Sequence, residues 1–286
     1  MIEEYVDLSK KTTYKFGGEA RYYFEYNRNT TKAEISKIKN LTEDIYFLGK
    51  GSNVAFSDKG YPGLVLRSSN DGITQISENI LEVYSGTPMP EIARFCKTMG
   101  LSGSEFMIGI PGTIGGGVAM NAGAFGSSIS DILDKVYTYN FLKSEQGMHK
   151  KNDLRIGYRS VKGIEGEYID KVHLVLDPSD KKLIALKHNE YLDHRRTTQP
   201  SGLYNAGSVF KNPKGYFSGE LIENAGLKGY RKGSVSVSKK HANFFVADRN
   251  AKSIDLYELV SYVKETVREH FDVLLEEEIR FVGEFG

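Results

Sequence analysis

The sequence reads as a two-domain protein of the α/β or α+β class. Three observations carry that reading. Its 286 residues exceed a typical domain of about 150. Hydrophobic residues make up 40% and charged residues 26%, enough apolar material for a sizeable core without a disordered composition. Short apolar runs of strand length alternate with stretches of helical spacing, unlike an all-β chain.

The elements follow in order. Strand-like runs fall at 22–26, 45–48, 63–67 and 80–84. A helix is predicted over 32–41, where Ala33, Ile35 and Ile38 are apolar. A second spans 90–99: Pro90 suits a first turn, Ile92, Phe95, Cys96 and Met99 share a face, and Gly100 can end it. Cys96 on that face reads as a small buried hydrophobe rather than a nucleophile. Further strands are predicted at 136–139 and 172–176. Asp177-Pro178-Ser179-Asp180 is turn chemistry and marks the expected domain boundary. A polar helix follows over 181–196. Another starts near Ser253, with Asp255 at its positive end and Leu256, Leu259, Val260, Val263, Val267 and Phe271 at helical spacing. The segment 274–285 alternates as a strand, with Glu278 and Arg280 on one face and Ile279 and Phe281 on the other.

Several classes are disfavoured by composition. Lys+Arg minus Asp+Glu is 38 − 37 = +1, so neither nucleic acid nor an anionic membrane is expected as partner. A single cysteine excludes an internal disulfide, a four-cysteine zinc site and a cysteine-ligated iron–sulfur cluster. The start is acidic and carries no signal-peptide apolar stretch, and no run nears the roughly 20 apolar residues that span a bilayer. A soluble, cytoplasmic protein is expected.

The most informative stretch is 108–126, with glycine at 109, 112, 115, 116, 117, 123 and 126 between apolar flanks. Glycine reaches positive φ cheaply and lets another group approach the main chain. Such density in a folded domain suits a large flat or phosphorylated ligand; a tightly packed turn is the plain alternative. A second loop, Gly49-Lys50-Gly51-Ser52-Asn53, can form an anion-binding nest from successive N–H groups, though most such loops are simply turns. Gly49 to Val54 begins like G-x-G-x-x-G but ends in valine, so the dinucleotide-binding fingerprint fails. No P-loop and no G-x-S-x-G is present. His188 and His194 lie six residues apart, about 600° of helical rotation, so they read as solvated surface rather than metal ligands.

Four further polar clusters remain. Tyr158-Arg159-Ser160 has a lone arginine, ordinarily a surface residue. The segment 207–213 mixes Gly207, Ser208, Lys211 and Asn212 before Pro213. Lys240, His241 and Asn243 precede an apolar strand, and Glu278 and Arg280 lie near the end.

Taken in order, Thr12-Thr13-Tyr14-Lys15-Phe16-Gly17-Gly18, then 49–54, 110–126, Gly157-Tyr158-Arg159, 207–213, 240–244 and 278–283 resemble the UDP-N-acetylenolpyruvoylglucosamine reductase family (UDP-N-acetylmuramate dehydrogenases), in its shorter, type II form. The resemblance covers nearly the whole chain. It implies the α+β class: a two-lobed FAD-binding region of the vanillyl-alcohol oxidase (PCMH) type over 1–178, with lobes of about 1–70 and 71–178, and a C-terminal α+β substrate-binding domain over 179–286.

By position, the resemblance puts the FAD cradle on Gly49, Lys50, Gly51, Ser52 and Asn53, on Pro111, Gly112, Thr113, Gly115 and Gly116, and on Asn121, Ala122, Gly123 and Gly126. It puts the catalytic positions on Arg159, Ser208 and Glu278, and substrate contacts on Tyr158, Lys211, Asn212, His241, Asn243 and Arg280; it implies no metal. Ser236 stands where many members carry glutamine. The implied reaction uses NADPH as hydride donor and UDP-N-acetylglucosamine enolpyruvate as substrate, giving UDP-N-acetylmuramate for peptidoglycan synthesis. The implied protein is a monomer or weak dimer. In that chemistry Arg159 stabilises an enolate-like charge, Ser208 donates the last proton, and Glu278 acts protonated or by polarising a neighbour. A sugar or hydroxy-acid oxidase would keep the 108–126 loop but has no reason to keep Ser208 and Glu278 in these contexts. A non-enzymatic binding protein on the same scaffold would not turn over NADPH.

Overall fold

Thr31 starts the first helix by reciprocal capping: its hydroxyl accepts from the Glu34 N–H, and the Glu34 carboxylate accepts from the Thr31 N–H. The helix runs Lys32–Lys39 in the computed structural model, which describes residues 1–202 and 204–286. The chain forms two units. One comprises Met1–Ile2, Tyr23–Lys50 and Gly63–Arg195; the other comprises Glu3–Tyr22, Gly51–Pro62 and Arg196–Gly286.

The first unit is built on an antiparallel sheet of five strands, in the order Glu145–Lys150, Leu133–Asn140, Tyr168–Val175, Ile80–Tyr84, Ile73–Gln75. Alternation buries Leu81, Val83, Val136, Val172 and Leu174 in one core. Helix Met89–Met99 covers it with Met89, Ile92, Ala93 and Cys96, and Gly100 ends the helix at φ 76. Burial pushes the Cys96 thiol up to about 11, as suits a packing residue. Within a second, four-stranded sheet, Ile45–Leu48 pairs in parallel with Tyr61–Ser68, with Ile45 opposite Leu64.

Asp177-Pro178 does not end this unit. It pairs with Leu101–Ser102, Ser179 N donates to Gly100 O at 2.8 Å, and helix Lys181–Thr198 follows with Ile184 and His188 buried. The units therefore part at Arg195/Arg196 rather than at 178/179, and two early segments belong with the C-terminal one. Turn chemistry reports a change of direction; it says nothing of where a chain packs. His188 is also not the solvated residue expected. It is 3% exposed, with no hydrogen-bond partner on Nε2 among the described residues.

In the second unit, Arg231–Lys232, Val235–Val237 and Phe245–Ala247 form a sheet. Helix Ser253–Phe271 contributes Leu256, Leu259, Val260, Val263 and Val267 to the core. Tyr14 and Phe16 stack at 4.8 Å within the same core, and the Tyr14 hydroxyl donates to Phe245 O at 3.1 Å. The predicted strand over 274–285 shrinks to Arg280–Val282, paired parallel with Val54–Phe56. The reason is a contact with a segment distant in the chain. The N–H groups of Glu278 and Ile279 both donate to Val209 O, at 2.8 and 3.3 Å, and two donors on one acceptor break the regular ladder.

Candidate active site

The glycines of 108–126 do different jobs. Gly115 and Gly117 are buried, and a Cβ would lie 2.8 Å from Ser85 Cβ on the first and 2.6 Å from Ile129 Cδ1 on the second. Gly123 is equally closed, 2.5 Å from Ser127 O. These three serve packing. Gly116 and Gly126 are exposed and open; the atom nearest a Cβ on Gly116 is Thr113 Oγ1 at 3.7 Å. From the 49–53 loop, a Cβ on Gly49 would meet the same Thr113 Oγ1 at 2.7 Å. That hydroxyl is buried and has no hydrogen-bond partner among the described residues. A main-chain cradle bare of side chains around an orphaned hydroxyl fits a phosphorylated cofactor, to which Thr113 would donate.

Beyond Gly117 the run is strained. Asn121 and Phe125 hold φ of 47 and 55, and Arg159 holds 52. Arg159 is the second residue of a two-residue turn between Arg155–Gly157 and Ser160–Lys162, a place where glycine is the easy choice. Its guanidinium donates to Gly123 O at 2.8 Å and to Asn121 O at 3.4 Å, and lies 5.0 Å from the half-exposed Tyr158 ring. The Asn121 amide donates to Gly157 O at 3.0 Å and accepts from Ser130 N at 2.9 Å. Asn121, expected in the cofactor cradle, thus directs its amide at protein groups. Phe125 is stacked on Tyr191 at 4.0 Å, with His194 at its edge and Arg195 5.5 Å from its centre. Sequence reading missed Phe125; the signal available was a bulky ring set between Gly123 and Gly126. Pro111 and Lys50 are exposed, while Gly112 at φ 130 and Ala122 are buried.

In the second unit, Gly51 at φ 66 lies against the Lys11–Thr12 main chain, where a Cβ would be 2.4 Å from Lys11 O. Asn53 Nδ2 donates to Glu278 O at 3.0 Å, and Arg280 N donates to Asn53 O at 3.1 Å. Ser52 and Asn53 are half-buried. Ser208 lies in an extended stretch bridged to Phe244. Val209 N donates to Asn243 O, and Val209 O takes the Glu278 N–H. Ser208 and Glu278 are thus carried on adjoining extended segments. Asn243 is 4% exposed; it accepts from Phe210 N at 2.9 Å and donates to Phe210 O at 2.8 Å. Expected to touch substrate, it has an amide that fastens the segment bearing Ser208.

Around these, the Lys211 ammonium pairs with Glu276. Asn212 Oδ1 accepts from Ser218 N at 3.0 Å. His241 Nδ1 accepts from Asn243 N at 3.2 Å, which places its proton on Nε2, and Gly219 leaves room for its ring. Arg280 is exposed.

Comparison with known proteins finds two matching domains. Residues 28–147 match an FAD binding domain, and residues 199–282 match the C-terminal domain of UDP-N-acetylenolpyruvoylglucosamine reductase. The reductase of that name from Caldicellulosiruptor saccharolyticus is 39% identical over 97% of this chain and 91% of its own length. That from Prochlorococcus marinus is 38% identical over 99% and 98%. The crystal structure of UDP-N-acetylenolpyruvylglucosamine reductase from Thermus caldophilus superposes with a TM-score of 0.84 at 32% identity, covering 99% of this chain and all of that one.

Proposed function

The chain belongs to the UDP-N-acetylenolpyruvoylglucosamine reductase family, and from that premise we propose that it reduces the enolpyruvyl group of UDP-N-acetylglucosamine enolpyruvate with NADPH. The product is UDP-N-acetylmuramate, for peptidoglycan precursor synthesis in the cytoplasm. Its cofactor is FAD, which when bound supplies hydride transfer from the nicotinamide to the terminal vinyl carbon. Gly49, Thr113 and Gly116, with the neighbouring main chain of 50–53, 111–115 and 122–126, would hold it. Among the described residues no helix is long and apolar enough to cross a membrane.

The observation that best supports this reading is Arg159. A strained turn carries a guanidinium anchored on the cofactor-loop carbonyls at Gly123 and Asn121. Strain of this kind concentrates where geometry serves function. As hydride reaches the vinyl carbon, negative charge grows on the adjacent carbon and its carboxylate, and Arg159 stabilises it. Ser208 delivers a proton to that carbon. A serine hydroxyl is a weak acid, so its fixed placement carries the step. Glu278 acts as a protonated donor or by polarising a neighbouring group, since an ionised carboxylate would oppose the charge. Lys211, Asn212, His241, Arg280 and Tyr158 hold the substrate's phosphates, sugar and carboxylate, and Asn243 keeps Ser208 in place. The protein acts as a monomer or weak dimer.

Stopped-flow mixing of anaerobically reduced protein with UDP-N-acetylglucosamine enolpyruvate tests this. Substrate-dependent reoxidation of the flavin is expected. Reoxidation by oxygen or a free sugar alone would turn the reading to an oxidase.

A further inference from the structure

We propose that Asn121 is a positioning residue for Arg159, one amide that ties the cofactor loop to the arginine acting on substrate. This rests on the role given to Arg159 above. Asn121 is 7% exposed and holds φ 47, a conformation asparagine tolerates better than other non-glycine residues. Its Nδ2 donates to Gly157 O at 3.0 Å, and its Oδ1 accepts from Ser130 N at 2.9 Å. Gly157 is the last residue before the Tyr158-Arg159 turn and pairs with Ser160 beyond it. The amide therefore fixes the base of the turn whose tip is Arg159. The chain then closes on itself, because the Arg159 guanidinium returns to the main-chain carbonyls of Asn121 and Gly123.

Such a ring over-determines the arginine. An arginine side chain otherwise samples many rotamers, and holding one costs entropy. With turn base and guanidinium both tied to 121–123, that ordering is settled before substrate arrives. A shift of the 121–126 loop would move Arg159 with it. Misplacement of a catalytic group by about 1 Å costs on the order of 10²-fold in rate.

Two variants of the holoenzyme separate this from a simple loop role. Asn121→Gly keeps the left-handed backbone and removes both side-chain bonds. Asn121→Asp keeps the acceptor for Ser130 N and turns the donor facing Gly157 O into an oxygen. Flavin reduction by NADPH and reoxidation by UDP-N-acetylglucosamine enolpyruvate are measured separately, per bound flavin. Both variants are expected to slow reoxidation about 10²-fold, and reduction by less than about tenfold. Asn121→Asp placed on Arg159→Ala should add little further loss, because both act through one guanidinium. Wild-type reoxidation in Asn121→Gly, equal losses in both half-reactions, or losses that multiply in the double variant would overturn the inference and leave the Arg159 role standing. Unchanged reoxidation in Arg159→Ala alone would instead overturn that role, and this inference with it.

Discussion

Around Arg159 the backbone is bent, with left-handed conformations at Asn121, Phe125 and Arg159 itself. At Ser208, just beyond a left-handed Gly207, it is bridged to Phe244 and fastened at Phe210 by the Asn243 amide. One unit holds its candidate catalytic group by strain and main-chain carbonyls, the other by ordinary strand-like pairing plus one buried side chain. The difference separates two kinds of cost. Strain is a standing charge on stability at the functional residue, whereas the fastened segment loses stability only when its fastener is removed.

The largest effect is expected at the chemistry. Ser208→Ala removes a hydroxyl from a segment held by its neighbours, so the fold should persist while reoxidation by the enolpyruvyl substrate slows by roughly 10²–10⁴. Reduction by NADPH should stay near wild type in the same stopped-flow traces. Equal slowing of both half-reactions would remove Ser208 from proton transfer.

Asn243→Ala tests the fastener. Phe210 would lose partners for both its N–H and its C=O in a buried place, which should cost about 2–4 kcal/mol. Chemical denaturation reads this directly. A loss below about 0.5 kcal/mol would mean that the segment is held by its main-chain pairing alone.

Glycines sharpen the same contrast within one short helix, Ile114–Ala119. Gly115→Ala drives a methyl against Ser85 and should cost about 1–3 kcal/mol. Gly116→Ala meets only Thr113 Oγ1, at 3.7 Å. In a helix it should be neutral or stabilising, by up to about 1 kcal/mol, yet weaken flavin binding, measured by fluorescence titration. If both variants behaved alike, the division between packing glycines and a bare ligand-facing one would fail.

Much of this was legible beforehand, and for physical reasons. The apolar spacing of Ala33, Ile35 and Ile38, the Gly100 stop and the spacing of Leu256 to Val267 are local rules, and their helices lie within a few residues of expectation. The strand at 274–285 fell short because the irregularity at Glu278–Ile279 is imposed by Val209, far away in the chain. His188 looked solvated because its helix is polar; its burial comes from the core against which that helix packs. The amide contacts of Asn121 and Asn243 were illegible for a like reason. An asparagine in a polar loop reads the same whether its amide faces a ligand or a main-chain carbonyl.

His188 offers a pH test confined to the first unit. Burial, with Lys97 and Arg94 nearby, lowers its pKa below the ordinary value, against an opposing pull from Glu105. The folded state therefore favours neutral histidine. Stability is full above the unfolded pKa near 6.5 and falls as pH drops below it, by up to about 1.4 kcal/mol per pH unit until the folded pKa is reached. His188→Gln should flatten the change in melting temperature between pH 7 and pH 5, and an unaltered slope would assign it to other groups.

The smallest expected effect on stability bears most directly on the opening contrast. Arg159→Gly places glycine where the turn needs positive φ, so strain of about 1 kcal/mol should be released. Against that stand two guanidinium bonds to Asn121 O and Gly123 O, each worth about 1 kcal/mol net, and less where solvent reaches them. Glycine's looser unfolded chain takes back a further part, about 0.5 kcal/mol. The balance is a net loss of at most about 1.5 kcal/mol, so the melting temperature should fall by no more than a few degrees while reoxidation by the enolpyruvyl substrate collapses. Arg159→Ala keeps the strain and loses the bonds, and should be the less stable of the two. If alanine matched or exceeded glycine, the left-handed turn would carry no strain, and the two units would hold their candidate catalytic groups in the same way.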